Sequence, residues 1–207
     1  EVAVQLVRLA ERPELYAALR EFAFGPRGPD SLRHRAVTVL QDAGQLASCM
    51  QTMWVAGAQQ EIVLMSITVT GEPEPGRHKP KTEALLVEAN ELLYAHRARE
   101  ALPLLEQAQQ LEPHAPDIQN NLAVAYALVG KTAQAEAIVR ETHQQHPDYF
   151  FARVSVARMH IRAGELDAAH ALLVPLLSRT QLHTSEFTNL CEAQIDLCLA
   201  RGEQNGA

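Results

Sequence analysis

The stretch Asn121-Leu-Ala-Val-Ala-Tyr-Ala-Leu-Val-Gly130, followed directly by Lys131-Thr-Ala-Gln-Ala-Glu-Ala-Ile-Val139, decides the fold. Leu122, Ala125, Tyr126 and Val129 recur at helical spacing, which predicts a first helix with one apolar stripe. Gly130 ends it, because glycine takes the left-handed backbone conformation without steric cost. Ala135, Ile138 and Val139 make the inner stripe of a second helix. Pro147 stops that helix, since proline offers no backbone donor. The small Ala123 and Ala135 let the two helices approach closely, with Tyr126 filling the space beside them.

The same pair recurs on either side. Ala101, Ala135 and Ala169 stand at one constant interval. Ala89, Ala123 and Ala157 precede them by a fixed offset, and Leu105, Val139 and Leu173 follow one helical turn later. Pro113 and Pro147 repeat as well, although the next slot holds Gln181. A period without drift means that one supersecondary unit is stacked. Such arrays work by presenting a surface, so the functional reading begins from binding rather than catalysis.

On these residues, positions 82–183 resemble three tetratricopeptide repeats. The small–large–small–proline signature is met by Ala123, Tyr126, Ala135 and Pro147, and in the first copy by Ala89, Leu92, Ala101 and Pro113. The third copy matches through Ala157, Gly164, Ala169 and Leu173, with His160 in the large aromatic slot. His96 occupies the glycine slot of the first copy, and Gln181 in the proline slot predicts a longer second helix in the third. Phe187, Leu190, Cys191, Ile195, Cys198 and Leu199 begin a fourth unit, and Ala200-Arg-Gly-Glu203 echoes Arg162-Ala-Gly-Glu165. The chain opens at Glu1 without methionine and stops at Ala207 before a partner helix, which reads as a piece of a longer protein whose missing part could name the function. The resemblance implies a mainly α protein: a right-handed α-solenoid over 82–207, three full repeats and a partial fourth, with first helices lining a concave groove.

Residues 1–70 read as a different, small α+β unit. Helices are expected at Val2–Ala10, at Glu14–Phe24 after Pro13, and from an Asp30 N-cap through Gln41 to Gly44. Met50–Val55 and Ile62–Val69 then alternate with period two around a turn at Ala56–Gln60, which reads as a β-hairpin. Residues 71–81 are a stiff Pro/Gly linker. Three helices and a hairpin admit a winged-helix reading, with Arg33, His34 and Arg35 opening a recognition helix. The signal for that is weak, and they better admit a packing or dimerisation unit whose apolar hairpin meets a partner, or an unspecified interaction or remnant domain.

Charge is unevenly spread. Residues 1–81 balance nine basic against nine acidic side chains, while residues 82–207 hold nine against sixteen. An acidic array repels phosphate backbones, so nucleic acid is disfavoured as a partner. No run of apolar residues is long enough for a membrane span. Composition predicts a cytoplasmic protein. Cys49, Cys191 and Cys198 are expected as core thiols rather than as ligands or disulfides.

No phosphate loop, nucleophile elbow or paired metal motif is present, so neither an enzyme nor a cofactor or metal is expected. His143-Gln-Gln-His146 shares a helical face but lacks a third ligand for zinc. Glu88 with Glu91, and Glu192 with Asp196, read as solvated charges, and His160 as bonding a neighbouring helix.

The groove-facing positions of the first helices are expected to be Leu86, Asn90, Leu93 and Tyr94, then Asn120, Asn121, Val124 and Leu128, then Val154, Ser155, Arg158 and Arg162. Asparagine bonds both the donor and the acceptor of an extended peptide backbone, and two arginines one turn apart suit a carboxylate. Family members that hold a chaperone's C-terminal carboxylate use a basic clamp. Asn90 and Asn121 match its asparagines, but Leu86, Phe151 and Ser155 stand where its basic residues belong, which argues against a chaperone-tail adaptor. The expected function is a scaffold or adaptor binding a protein or peptide with an acidic or carboxylate end in this groove. The alternative is a regulator with a DNA-binding N-terminal unit and a partner-sensing array. The sequence leaves homo-oligomerisation, the partner's identity and the pathway open.

Overall fold

The computed structural model describes residues 2–10, 12–46, 50–64, 67–71 and 78–205. Two compact units emerge, one of residues 1–68 with 177–180 and one of 69–176 with 181–207.

In the first unit, α1 (Val2–Ala10), α2 (Pro13–Phe24) and α3 (Asp30–Asp42) precede a hairpin of β1 (Met50–Val55) and β2 (Ala58–Val63). Leu19, Ala23, Ala36, Val37, Leu40 and Met53 form its core. The hairpin is tighter than the sequence predicts. Val55 pairs with Ala58, and Ala56 and Gly57 both take positive φ, 51° and 82°, the signature of a two-residue turn matched to strand twist. The second strand therefore ends at Val63 instead of running over Ile62–Val69. Pro29, not Asp30, is the N-cap of α3. The Asp30 carboxylate is used elsewhere: it pairs with Arg33 and accepts the Ala56 N–H at 2.8 Å. Arg33 is 2% exposed and donates to Gly28 O and Trp54 O. Its charge fastens the helix start to the hairpin, so it cannot serve as a groove-reading arginine.

The second unit contains α4 (Pro80–Tyr94), α5 (Ala98–Leu111), α6 (Pro116–Leu128), α7 (Thr132–Gln145), α8 (Phe150–Arg162), α9 (Leu166–Leu177) and α10 (Thr184–Asn205). These are the predicted helix pairs. Every alanine that carries the period is buried: Ala89, Ala123 and Ala157 on first helices, Ala101, Ala135 and Ala169 on second. Only small side chains at those six positions allow backbones to close on each other. Leu86, Leu105, Ala108, Ile118, Leu122 and Ala125 fill the space between the first pairs.

The turn inside each pair is one device used three times. Gly130 N bonds Ala127 O and Lys131 N bonds Tyr126 O; Gly164 with Glu165, and His96 with Arg97, repeat the same two bonds. This double closure requires a left-handed residue. Gly130 and Gly164 supply it at φ 83° and 77°, and His96 adopts it at 58°.

Two expectations fail at the far end. α9 stops at Leu177 rather than lengthening, and Gln181 opens β4 (Gln181–His183), which pairs with β3 (Thr68–Thr70). On α10 the buried face is Leu190, Ala193 and Leu197, while Ile195 and Leu199 are 58% and 62% exposed. Cys191 is half-buried and Cys198 exposed, so the pair are not core thiols. Cys49, and most of the 71–81 linker, lie outside the described residues.

Candidate peptide-binding groove

The first helices carry the candidate site, and the inner stripe of each decides what is left over for it. On α4 the stripe is Thr82, Leu86 and Ala89. Leu86 is 6% exposed and belongs to the core, and Val154 on α8 is buried in the same way. Both are removed from the groove: the i, i+4, i+7 spacing that packs a first helix against its neighbour passes through them.

Asn90 and Asn121 meet across successive first helices, Asn121 Nδ2 donating to Asn90 Oδ1 at 3.0 Å. That bond spends half of each amide. Asn90 Nδ2 and Asn121 Oδ1 stay outside it, one donor and one acceptor, the pair an extended backbone needs.

Asn120 and Val124 of α6 meet Ser155, Arg158 and Arg162 of α8 in an open cleft of about 250 Å³, with Ala135, Glu136 and Val139 of α7 as its wall. Five predicted groove residues therefore come together. Tyr94 and Leu128 are 85% and 54% exposed on their helices but do not line this cleft.

Neither arginine is free. Arg158 donates through Nε to Asp196 at 3.1 Å and through Nη1 to Glu192 at 3.2 Å. Arg162 pairs with Glu136 at 3.3 Å, whose other oxygen takes Arg140 at 3.3 Å. Glu192 and Asp196, expected as solvated charges, thus hold Arg158. The signal for this is present in the sequence: Glu192 lies one repeat period beyond Arg158, as Asp196 does beyond Arg162, and one period places two residues side by side on adjacent first helices. A second open cleft, formed by Arg158, Ile161, Arg162, Asp196, Leu199 and Ala200, continues the first towards α10.

Elsewhere the titratable groups serve the fold. His78 is gripped by Glu112 at 2.9 Å on Nδ1 and by Asp117 at 2.7 Å on Nε2. Burial opposes its charge, but the two carboxylates together raise its pKa. Hydrogen bonding from His78 and from the Lys79 N–H takes Glu112 down to about 2. His160 bonds Glu165. The His143 pKa is lowered by burial and then by the charges of Arg153 and His160, an environment that also repels a metal ion. Among the described residues no group of three or more metal-ligating side chains forms, and no helix is long and apolar enough to cross a membrane.

Residues 92–150 match the family model described as tetratricopeptide repeat. No curated protein matches the sequence. Solved structures resemble part of it. The Sgt2 domain from Aspergillus fumigatus is 17% identical over 59% of this chain and 83% of its own, TM-score 0.46. The first such domain of Spaghetti (RPAP3), bound to the HSP90 peptide SRMEEVD, is 19% identical over 57% of this chain and 96% of its own, TM-score 0.44. MamA from Desulfovibrio magneticus RS-1 is 18% identical over 46% of this chain, TM-score 0.40. This chain spans about half, 54%, of that MamA chain.

Proposed function

We propose that this tetratricopeptide-repeat protein is an interaction scaffold that holds an extended protein or peptide segment along the groove face of its first helices. The observation that carries the reading is the meeting of Asn120 and Val124 with Ser155, Arg158 and Arg162 in one open cleft. Val124 is 42% exposed there, an apolar side chain that contact with a partner would cover. The half-used amides of Asn90 and Asn121 add a donor and an acceptor. A cytoplasmic setting and a non-enzymatic role belong to the same proposal.

The acidic or carboxylate end expected from the arginines has weaker support. To reach Arg158 it must displace Glu192 and Asp196, and at Arg162, whose side chain is 60% exposed, it competes with Glu136. The DNA-binding alternative loses Arg33, which is buried and paired.

Affinity capture compares Val124→Gln with Glu141→Gln on the exposed side of α7. The scaffold reading expects partner proteins retained by the wild type to be lost only with Val124→Gln. Equal retention by both variants would place the working surface elsewhere.

A further inference from the structure

Resting on that groove reading, we propose that the occupant is a cationic segment, an extended stretch in which lysine or arginine alternates with apolar side chains. The argument is charge complementarity. Two arginines face the joined clefts, and three carboxylates, Glu136, Glu192 and Asp196, are bonded to them. Glu136 is shared between Arg162 and Arg140, whereas at the α10 end Arg158 alone faces Glu192 and Asp196, which leaves one carboxylate in excess there, inside an array whose acidic residues outnumber its basic ones sixteen to nine. An anionic partner at Arg158, whose side chain is 34% exposed, would have to break existing ion pairs and then sit beside the displaced carboxylates. A cationic partner instead finds carboxylate oxygens reachable from solvent, since the Glu192 and Asp196 side chains are 53% and 42% exposed. Opposite charges across an interface set both partner choice and encounter rate.

Apolar positions accompany the acidic ones. Val124 lines the first cleft and Leu199, 62% exposed, lines the second; Arg158 and Arg162 border both. Side chains of an extended segment point alternately to opposite sides. Apolar residues of the occupant would cover Val124 and Leu199 while its cations meet Glu192 and Asp196.

Two labelled probes test this by fluorescence anisotropy: a short peptide alternating leucine with lysine, and its counterpart alternating leucine with glutamate. The wild type should bind the lysine peptide, and less tightly as salt rises. Glu192→Gln with Asp196→Asn keeps shape and hydrogen-bond acceptors but removes the charge. It should weaken the lysine peptide about tenfold and, by releasing Arg158, strengthen the glutamate peptide. Glu141→Gln with Asp167→Asn removes equal charge from second helices and should change neither. Circular dichroism confirms that each variant keeps its helix, and Val124→Gln, at an exposed position, gives a second reading of the groove. Wild-type preference for the glutamate peptide, with Val124→Gln still damaging, would overturn the cationic occupant and leave the groove standing. Equal weakening of the lysine peptide by both charge-matched pairs would mean diffuse attraction and overturn the proposal. Indifference of both peptides to Val124→Gln would overturn the groove reading itself.

Discussion

His96→Gly should stabilise this protein. The closing turn of each helix pair needs one left-handed residue, and the three turns share their hydrogen bonds, with His96 N on Leu93 O at 3.0 Å and Arg97 N on Leu92 O at 2.8 Å in the first. A side chain in that conformation costs roughly 1–2 kcal/mol. Glycine removes that cost but adds freedom to the unfolded chain, worth about 0.5–1 kcal/mol. The net gain is about 0.5–1 kcal/mol, because the His96 ring is exposed and makes no hydrogen bond among the described residues. For a chain of this size that is a rise of about 1–4 °C in Tm, read by thermal and urea unfolding. The reciprocal change isolates the backbone. A Cβ on Gly130 or Gly164 meets nothing within 4 Å, so Gly130→Ala should lose about 1 kcal/mol through conformation alone. A Tm that falls in His96→Gly would mean the imidazole contributes a contact that outweighs the strain. No loss in Gly130→Ala would refute the left-handed argument for all three turns.

Ala101→Leu should cost about 1–3 kcal/mol by overpacking and Ala135→Leu less, because Ala101 is fully enclosed whereas Ala135 borders the open cleft; denaturant midpoints give the order. Thr142→Val should cost about 1–3 kcal/mol, since it leaves the buried Gln119 Oε1 without its 2.8 Å donor. The His78 clamp should show in the pH profile of stability. Glu112, lowered from 4.5 to about 2, contributes above pH 4.5 and loses its share as pH falls towards 2; His78, raised from 6.5, contributes below 6.5 and loses its share as pH climbs through its folded value. His78→Gln should flatten the alkaline limb, and an unchanged limb would show that the two carboxylates do not hold the imidazolium.

The array is legible because its interior repeats. Alanines one period apart stay in register only if each meets the same neighbour in the next unit, and all six are buried. Helix ends are legible where glycine or proline marks them. They are not where the chemistry is atypical: Ala56 takes a left-handed turn position with no glycine to announce it, and Gln181 opens a strand where the period leads one to expect more helix. Leu86 escapes a sequence reading because a clamp slot and a core stripe coincide on α4, and an apolar residue at such a position follows the core. Arg33 escapes it because burial of its charge depends on Trp54 O, which arrives from the hairpin; the i,i+3 pair with Asp30 is local, but nothing in it announces burial.

The face proposed as the groove obeys the opposite rule. Position by position, the inner row of the first helices reads Ala89, Ala123, Ala157 and Cys191, three buried alanines and a half-buried cysteine. The adjacent rows read Asn90, Val124, Arg158, Glu192 and Tyr94, Leu128, Arg162, Asp196, with no two alike except the arginines. Packing demands the same residue in every unit, whereas recognition needs units that differ. The period therefore locates the face, and its departures give the face its chemistry. Two polar or aromatic residues stand on α4, two aliphatic ones on α6, two cations on α8 and two anions on α10. Stacking sets the last two rows against each other, which is why Arg158 finds Glu192 one period away and Asp196 one turn further. The ion pairs that occupy Arg158 follow from the same repeat that aligns the first helices.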